Sequence, residues 1–522
     1  MSRRVFLSGA VAGAGGLLLP GDLPARAGAS SAGVAASRGV ALKEPFTLGV
    51  ASGDPAADGF VLWTRLARSP LDPSGMGGMP NRAVEVEWQL ATDERFRTIV
   101  RKGTETARPE AAHSVHVELE GLDPGREYFY RFRAANQVSP AGRTRTAPAP
   151  GTLGALTFTT AACAHYEHGY YTAYRRLSQE EPDLVVHLGD YMYEYERSGY
   201  TALNGPVRRH LGDKCRTLAD YRARYAQYKS DPDLQAAHAV APWLVVFDDH
   251  EVENNWAGPI SSTGAEDFEA RRRAALRAYY ENMPLRRSSI PQGTTLRLNR
   301  RIDWGSLASF HMLDTRQFRD DQACLDGVRA GCDEALDPGR TVLGPDQREW
   351  LLSGLRGSAA RWNLIGQQII LAQHDDKLGP GREVNMDSWD GYPAERTRLL
   401  TGIRDSGAAN PVVLTGDAHI HHAADLRLDF DDPDSPTVAV ELVTSSISSD
   451  GDGYRDANRM AALRAENPHI AYVDQRRGYI VCRVSPDELH ADFRTLDYIS
   501  RRGAPAKTSA RFTVPSGENT LA

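Results

Sequence analysis

Between residues 44 and 147 apolar and polar side chains alternate in short runs: "FVLWTRLA", "AVEVEWQLAT", "SVHVELEGL" and "EYFYRFRAAN". Each run is closed by turn-forming residues such as "DPAADG" or "LDPG". Period two sends successive side chains to opposite faces of an extended chain, so each run predicts a half-buried strand. Strands spaced this closely, with no helical pattern between them, predict a small all-β sandwich of immunoglobulin or fibronectin type over residues 44–147. "TAPAPGTLG" then reads as a linker. After Ala155 the rhythm changes. Continuous apolar runs, "ALTFTTAAC", "PDLVVHLGD", "PWLVVFDDH", "SLASFHMLDT", "RWNLIGQQIIL" and "NPVVLTGDAH", now alternate with helix-period segments such as "EDFEARRRAALRAYYENM" and "PDQREWLLSGLRGSAA". Strands apolar throughout are buried on both faces, which predicts a layered α/β domain over 155–502, followed by a tail at 503–522.

Four of those runs end in unusual residues. One ends at Cys163, one at Gly189-Asp190 with Tyr193 three further on, one at Asp248-Asp249-His250-Glu251, and one at Asp417-Ala418-His419. In buried α/β sheets ligands bind beyond the carboxyl ends of the strands. A single polar strand end is ordinarily a solvated turn, and a histidine cluster is ordinarily inert. Three such ends in one predicted sheet point instead to a metal centre, because so dense a cluster of carboxylates is costly unless it faces water or a cation. Asp417 and His419, two apart on an extended strand end, point the same way. A Tyr193 phenolate suits a hard, acidic ion such as Fe(III), and Asp190 is placed to bridge two ions.

The chain has 522 residues, 41% hydrophobic and 25% charged, room enough for two or three domains. Its formal charge is -7, and removing residues 1–27, with three arginines and one aspartate, leaves roughly -9. That balance argues against a general nucleic-acid or anionic-membrane binder. The N-terminus carries the pair Arg3-Arg4, a mild Ala/Gly/Leu core and Ala25-Arg26-Ala27, which resembles a twin-arginine export signal over 1–27. The apolar run 5–20 is short and glycine-rich against the ~20 residues that a membrane span needs. Residues 28–43 read as a flexible leader. The expected location is therefore secreted, cell-surface or periplasmic, by way of the twin-arginine translocation machinery. Five cysteines leave one over in an exported chain. Cys324 and Cys332 bracket a short loop and could close a local disulfide, Cys482 reads as a core residue on a strand, and Cys215 is uninformative.

The three strand ends together resemble the calcineurin-like metallophosphatase pattern, Gly-Asp-x-x-Tyr, then Asn-His-Glu, then Gly-His-x-His. Here they read Gly189-Asp190-Tyr191-Met192-Tyr193, Asp249-His250-Glu251 and Gly416-Asp417-Ala418-His419. Asp249 replaces the usual asparagine and Asp417 the first histidine, changes that favour Ca²⁺ or Mg²⁺ over Zn²⁺ at the second metal. With "FTLGVASGDPAADGFVLWTRLA", "LDTRQFRDDQ" and "NMDSWDGYPAER", nearly the whole mature chain resembles the PhoD-like alkaline phosphatases. The resemblance implies a two-sheet αββα sandwich behind the small β domain, and a metal-bound hydroxide attacking the phosphorus of monoesters and diesters. It also implies Fe(III) held by Cys163, Asp190, Tyr193 and His419, and Ca²⁺, or another divalent ion, held by the bridging Asp190 with Asp249 and Asp417. Asp314 is a further candidate there. His250 would stabilise the transition state or protonate the leaving oxygen. Arg316 either offers its planar fork to a phosphate oxygen or serves as a structural ion-pair partner. Trp389, Gly391 and Tyr392 form a pocket wall or pack under a loop, and His421 and His422 support the site or are exposed. Loops 198–217 and 322–340 would set substrate preference. Metal-dependent secreted phospholipases D share these motifs and are the alternative reading. An exported binding protein or an oxidase built on the Cys/Tyr iron site is a third.

Overall fold

The computed structural model describes residues 43–203, 205–454 and 456–522, so the expected signal at 1–27 and nearly all of the leader at 28–43 lie outside the described residues. Two large sheets face each other. In the first the strand order is Ala506–Pro515, Glu488–Leu496, Gly478–Val484, Leu156–Ala161, Leu184–Leu188, Trp243–Val246, Val50–Ala56, Gly59–Arg65 and Ser114–Leu119. The second runs Arg300–Trp304, Ala308–Met312, Trp362–Gly366, Pro411–Thr415, Thr437–Val443, His421–Arg427 and Ile470–Asp474. The strands that carry the site, Leu156–Ala161, Leu184–Leu188 and Trp243–Val246, are mutually parallel, so their carboxyl ends emerge on one side. Pro411–Thr415 lies parallel to Trp362–Gly366 and Thr437–Val443 in the other sheet.

Alternation within apolar runs explains the layering. Leu364, Val412 and Leu442 enter the core shared with the first sheet, where Phe158 meets Phe310 edge to face at 5.4 Å. Their neighbours Ile365, Val413 and Val443 point the other way, onto Leu351, Leu355, Leu399 and Ile403 of the helices Gly344–Arg356 and Pro393–Ser406. On the first sheet's outer side lie Leu218–Lys229, Pro232–Val240 and Phe268–Asn282. This is the αββα sandwich expected.

The N-terminal β region shares a layer with that sandwich. Val84–Ala91, Ile99–Ala107, Glu127–Ala134, Gln137–Val138 and Gly142–Arg145 form a separate five-stranded sheet, whereas Val50–Ala56, Gly59–Arg65 and Ser114–Leu119 extend the nine-stranded one. Phe60, Leu62, Val86, Leu90, Val117 and Phe132 fill the space between. The segment 503–522 is not simply a tail: Ala506–Pro515 is the edge strand beside Glu488–Leu496. Its polar composition disguised it, because an edge strand with one face in water needs few apolar anchors. Here Phe512 lies 5.9 Å from Phe493. Cys324 and Cys332 are bonded to each other, while Cys163, Cys215 and Cys482 are free and buried.

Candidate metal centre

Four residues at the strand ends take backbone conformations that side chains ordinarily avoid. Cys163, Asp190, Asp417 and His419 have φ of 56°, 54°, 57° and 54°. Such left-handed residues cluster at functional sites, where the surroundings hold them. Gly189, at φ 107°, lets the turn pass Asp248, since a Cβ there would lie 2.6 Å from the Asp248 Cβ. Glu251 ties the strand ends together: its buried carboxylate accepts the N–H groups of Asp190 at 3.1 Å, Tyr191 at 2.6 Å and Asp248 at 3.0 Å.

The resulting donors fall into two groups joined at Asp190. Cys163, Asp190 and His419 bring ligand atoms within 4.8 Å of one another, as do Asp190, Asp248, Asp249 and Asp417; Asp190, Asp249 and His250 form a third such set. Tyr193 belongs with the first: its hydroxyl donates to Asp190 Oδ2 at 2.9 Å, lies 3.0 Å from His419 Nε2, and accepts from Ser449 Oγ at 2.7 Å. His419 is aimed by Asp450, whose carboxylate lies 2.7 Å from Nδ1 and also accepts from Tyr200.

Burial, followed by the carboxylates around it, pushes the Cys163 thiol well up; burial and then Asp190 do the same to Tyr193. Asp190 and Asp417 are likewise raised, by burial first and then by neighbouring aspartates. Burial lifts Asp248 to about 6 against the pull of Arg316. Asp249 stays below the usual range because His250 and Arg316 outweigh its burial. Asp248 Oδ2 and Asp249 Oδ1 are buried and meet no hydrogen-bond donor among the described residues. Orphaned carboxylate oxygens inside a cluster of further carboxylates are what a cation requires, and a cation reverses every upward shift named. The residues present therefore fit the metals that the sequence suggested, with thiol, phenol, imidazole and carboxylate in one group and carboxylates alone in the other.

His250 stands beside the second group. Its Nδ1 is 2.9 Å from the fully buried Glu194, Nε2 is 3.9 Å from Asp249 Oδ2, and its ring lies tilted against that of Tyr193 with centroids 4.0 Å apart. Burial opposes protonation, but Asp249, Asp190 and Glu194 outweigh it and hold the imidazolium well above its ordinary value.

The remaining expected residues are not among the donors. The Arg316 fork is already engaged: Nη1 and Nη2 donate to the two oxygens of Asp387 at 2.8 Å each, and Nε donates to Asp248 at 2.5 Å. The side chain is fully buried, so it acts as a clamp between carboxylates. Asp314 joins none of the donor groups; it accepts the N–H groups of Arg316 at 3.0 Å and Gln317 at 2.9 Å, closing its own turn. Trp389 and Tyr392 are buried in the core of the second sheet's helical side. His421 and His422 are buried, and His421 Nδ1 accepts the Ser445 N–H at 3.1 Å. Sequence reasoning placed Asp248 in the dense strand-end cluster without giving it a ligand's role, and assigned no role to Asp387, Glu194 or Asp450. The doubled aspartate of "FDDHE" was the available signal for the first.

Comparison with known proteins agrees with this geometry. The PhoD-like phosphatase family matches residues 158–493, and the PhoD-like phosphatase N-terminal domain matches residues 32–148. Alkaline phosphatase D of Bacillus subtilis (strain 168) is 49% identical over 480 residues, 91% of this chain and 82% of that protein. A solved structure of PhoD superposes with a TM-score of 0.88 at 49% identity, covering 92% of each chain. The purple acid phosphatase PPD1 from yellow lupin (Lupinus luteus) seeds, at 12% identity and a TM-score of 0.54 over 90% of this chain and 73% of that one, shares the fold alone. Motif order, donor geometry and these matches lead to one conclusion: the chain belongs to the PhoD-like phosphatase family.

Proposed function

We propose that this metal-dependent phosphoesterase is an exported alkaline phosphatase that hydrolyses phosphate monoesters and diesters at a centre of two kinds of ion sharing Asp190. Cys163, Asp190, Tyr193 and His419 would hold Fe(III). Asp190, Asp249 and Asp417, with Asp248 added by the geometry, would hold Ca²⁺ or another hard divalent ion. When bound, such ions offset charge on the phosphoryl group and make a water acidic enough to attack it. The chain's own residues do the rest. Glu194 engages Nδ1 of His250, which leaves Nε2 directed at the site, and in the metal-free protein Asp249, Asp190 and Glu194 favour the charged ring. A charged imidazolium there hydrogen-bonds the transferring group and gives its proton to the leaving oxygen. Asp450 fixes the ring of His419, and Glu251 fixes the turns that present Asp190 and Asp248. Arg3-Arg4 supports twin-arginine export, and no helix among the described residues is long and apolar enough to cross a membrane.

The observation that carries this reading is the pair of donor groups joined at Asp190. Its test is kcat/KM for p-nitrophenyl phosphate and bis-p-nitrophenyl phosphate, each with and without a calcium chelator, on the mature protein. Hydrolysis of the monoester that the chelator abolishes is expected. A strong diester preference moves the assignment toward phospholipase D or another phosphodiesterase, and metal-loaded protein inactive on both esters overturns it.

A further inference from the structure

Beside Asp417 and Ala418, the site opens into a cavity of about 240 Å³. With ~30 Å³ per water in the liquid, this is room for about eight waters, more than a phosphoryl group fills and less than the roughly 300 Å³ at which drug-sized pockets begin. The excess space has two kinds of wall. Ile370, Ile420, Met460 and Val473 supply apolar surface. Arg459, exposed at the cavity's rim in the first turn of the helix Ala457–Glu466, supplies the one arginine of the lining. Among the described residues its guanidinium makes no hydrogen bond or ion pair, while across the wall His374 Nδ1 and Asp376 face each other at 3.5 Å. The charge of Arg459 is felt by Asp376, but no carboxylate among the described residues takes its fork. An unengaged guanidinium is shaped for an oxyanion.

We propose that this cavity is the subsite for the organic group esterified to the phosphate, and that Arg459 selects substrates whose short substituent ends in a second anionic group. The inference rests on the site being a phosphoester hydrolase. The scissile phosphate lies at the donor groups around Asp190, its substituent runs along the apolar wall past Ile420 and Met460, and the distal anion meets Arg459.

Two diesters that release the same chromophore test it: p-nitrophenyl 3-hydroxypropyl phosphate, and p-nitrophenyl 3-phosphonopropyl phosphate, whose terminal phosphonate is not itself hydrolysable. For metal-loaded mature protein, kcat/KM is expected to be about tenfold higher for the phosphonate, the scale of one hydrogen-bonded charge. Arg459→Gln should erase that preference and leave the hydroxypropyl ester within about twofold of wild type, while Arg459→Lys keeps part of it. Equal wild-type rates, or a preference that survives in Arg459→Gln, overturn the subsite. No p-nitrophenol from either diester while p-nitrophenyl phosphate is still hydrolysed also overturns the subsite, and none from all three in the loaded wild type overturns the hydrolase reading on which it rests.

Discussion

Replacing Arg316 by methionine keeps much of the side chain's length and removes its charge, and the consequences separate a phosphate fork from a carboxylate clamp. In the structure, the guanidinium spends three N–H groups on two buried carboxylates, with Asp249 a further 3.8 Å away. Asp387 would keep Arg319 at 3.1 Å and the Gln322 amide at 2.5 Å, so it is partly compensated. Asp248 would lose its guanidinium partner outright. Removing one partner of a buried pair costs about 3–5 kcal/mol. That loss should appear in urea unfolding of metal-free protein and shrink when metal is supplied, since bound cations replace the missing charge at Asp248. The pH dependence has a definite sign. Asp387 is held well below its ordinary value because Arg316 and Arg319 outweigh its burial. Its contribution is therefore fully present above the unfolded value of ~3.9 and is lost as pH falls through the folded one. The gap between wild type and Arg316→Met should be widest at neutral pH and close on acidification. If Arg316 instead binds phosphate, KM rises more than tenfold with the unfolding midpoint unchanged, and that result would refute the clamp.

Three further substitutions probe other parts of the centre. His250→Ala is expected to lower kcat by about 10²–10⁴ while elemental analysis finds both ions retained; ion loss would remove its assignment as a proton donor. Glu251→Ala leaves the buried N–H groups of Asp190, Tyr191 and Asp248 without their acceptor, at about 1–3 kcal/mol each, so chemical unfolding should show a loss of several kcal/mol. A stability within about 1 kcal/mol of wild type would mean that the turns hold themselves. Gly189→Ala places a methyl 2.9 Å from the Asp248 backbone nitrogen at a φ of 107°, and metal content measured on soluble protein should fall sharply. Full loading would show that the turn can move.

What could be read from the chain was whatever is local in it. Period-two runs and continuous apolar runs located the strands, and their abrupt polar ends located the centre, because in a buried α/β sheet ligands bind just beyond the carboxyl ends of the strands. Partnership at long range was not legible. Arg316 meets Asp248 and Asp387, 68 and 71 residues away, so no spacing rule could decide between fork and clamp. Matching Asp249 to the asparagine of a three-residue pattern concealed Asp248, yet both carboxylates reach the group around Asp190 because the chain leaves its strand at Val246 and turns at once. The edge strand Ala506–Pro515 and the sharing of Val50–Ala56 with the large sheet were hidden for the same reason. Taken together, these long-range partners also explain why the centre needs ions. Asp190, Asp248, Asp249, Glu251 and Asp387 are buried acids and Asp417 is a half-buried sixth, and the cations packed against them are Arg316, Arg319 and the His250 imidazolium. Arg316 and Arg319 are drawn to the Asp387 end, which leaves the surplus at Asp190 and Asp417, the two aspartates whose protonated forms burial and their neighbours most favour. The fold thus compensates one end of its carboxylate cluster with guanidinium and leaves the other for metal, so the position of the arginines marks where cations belong.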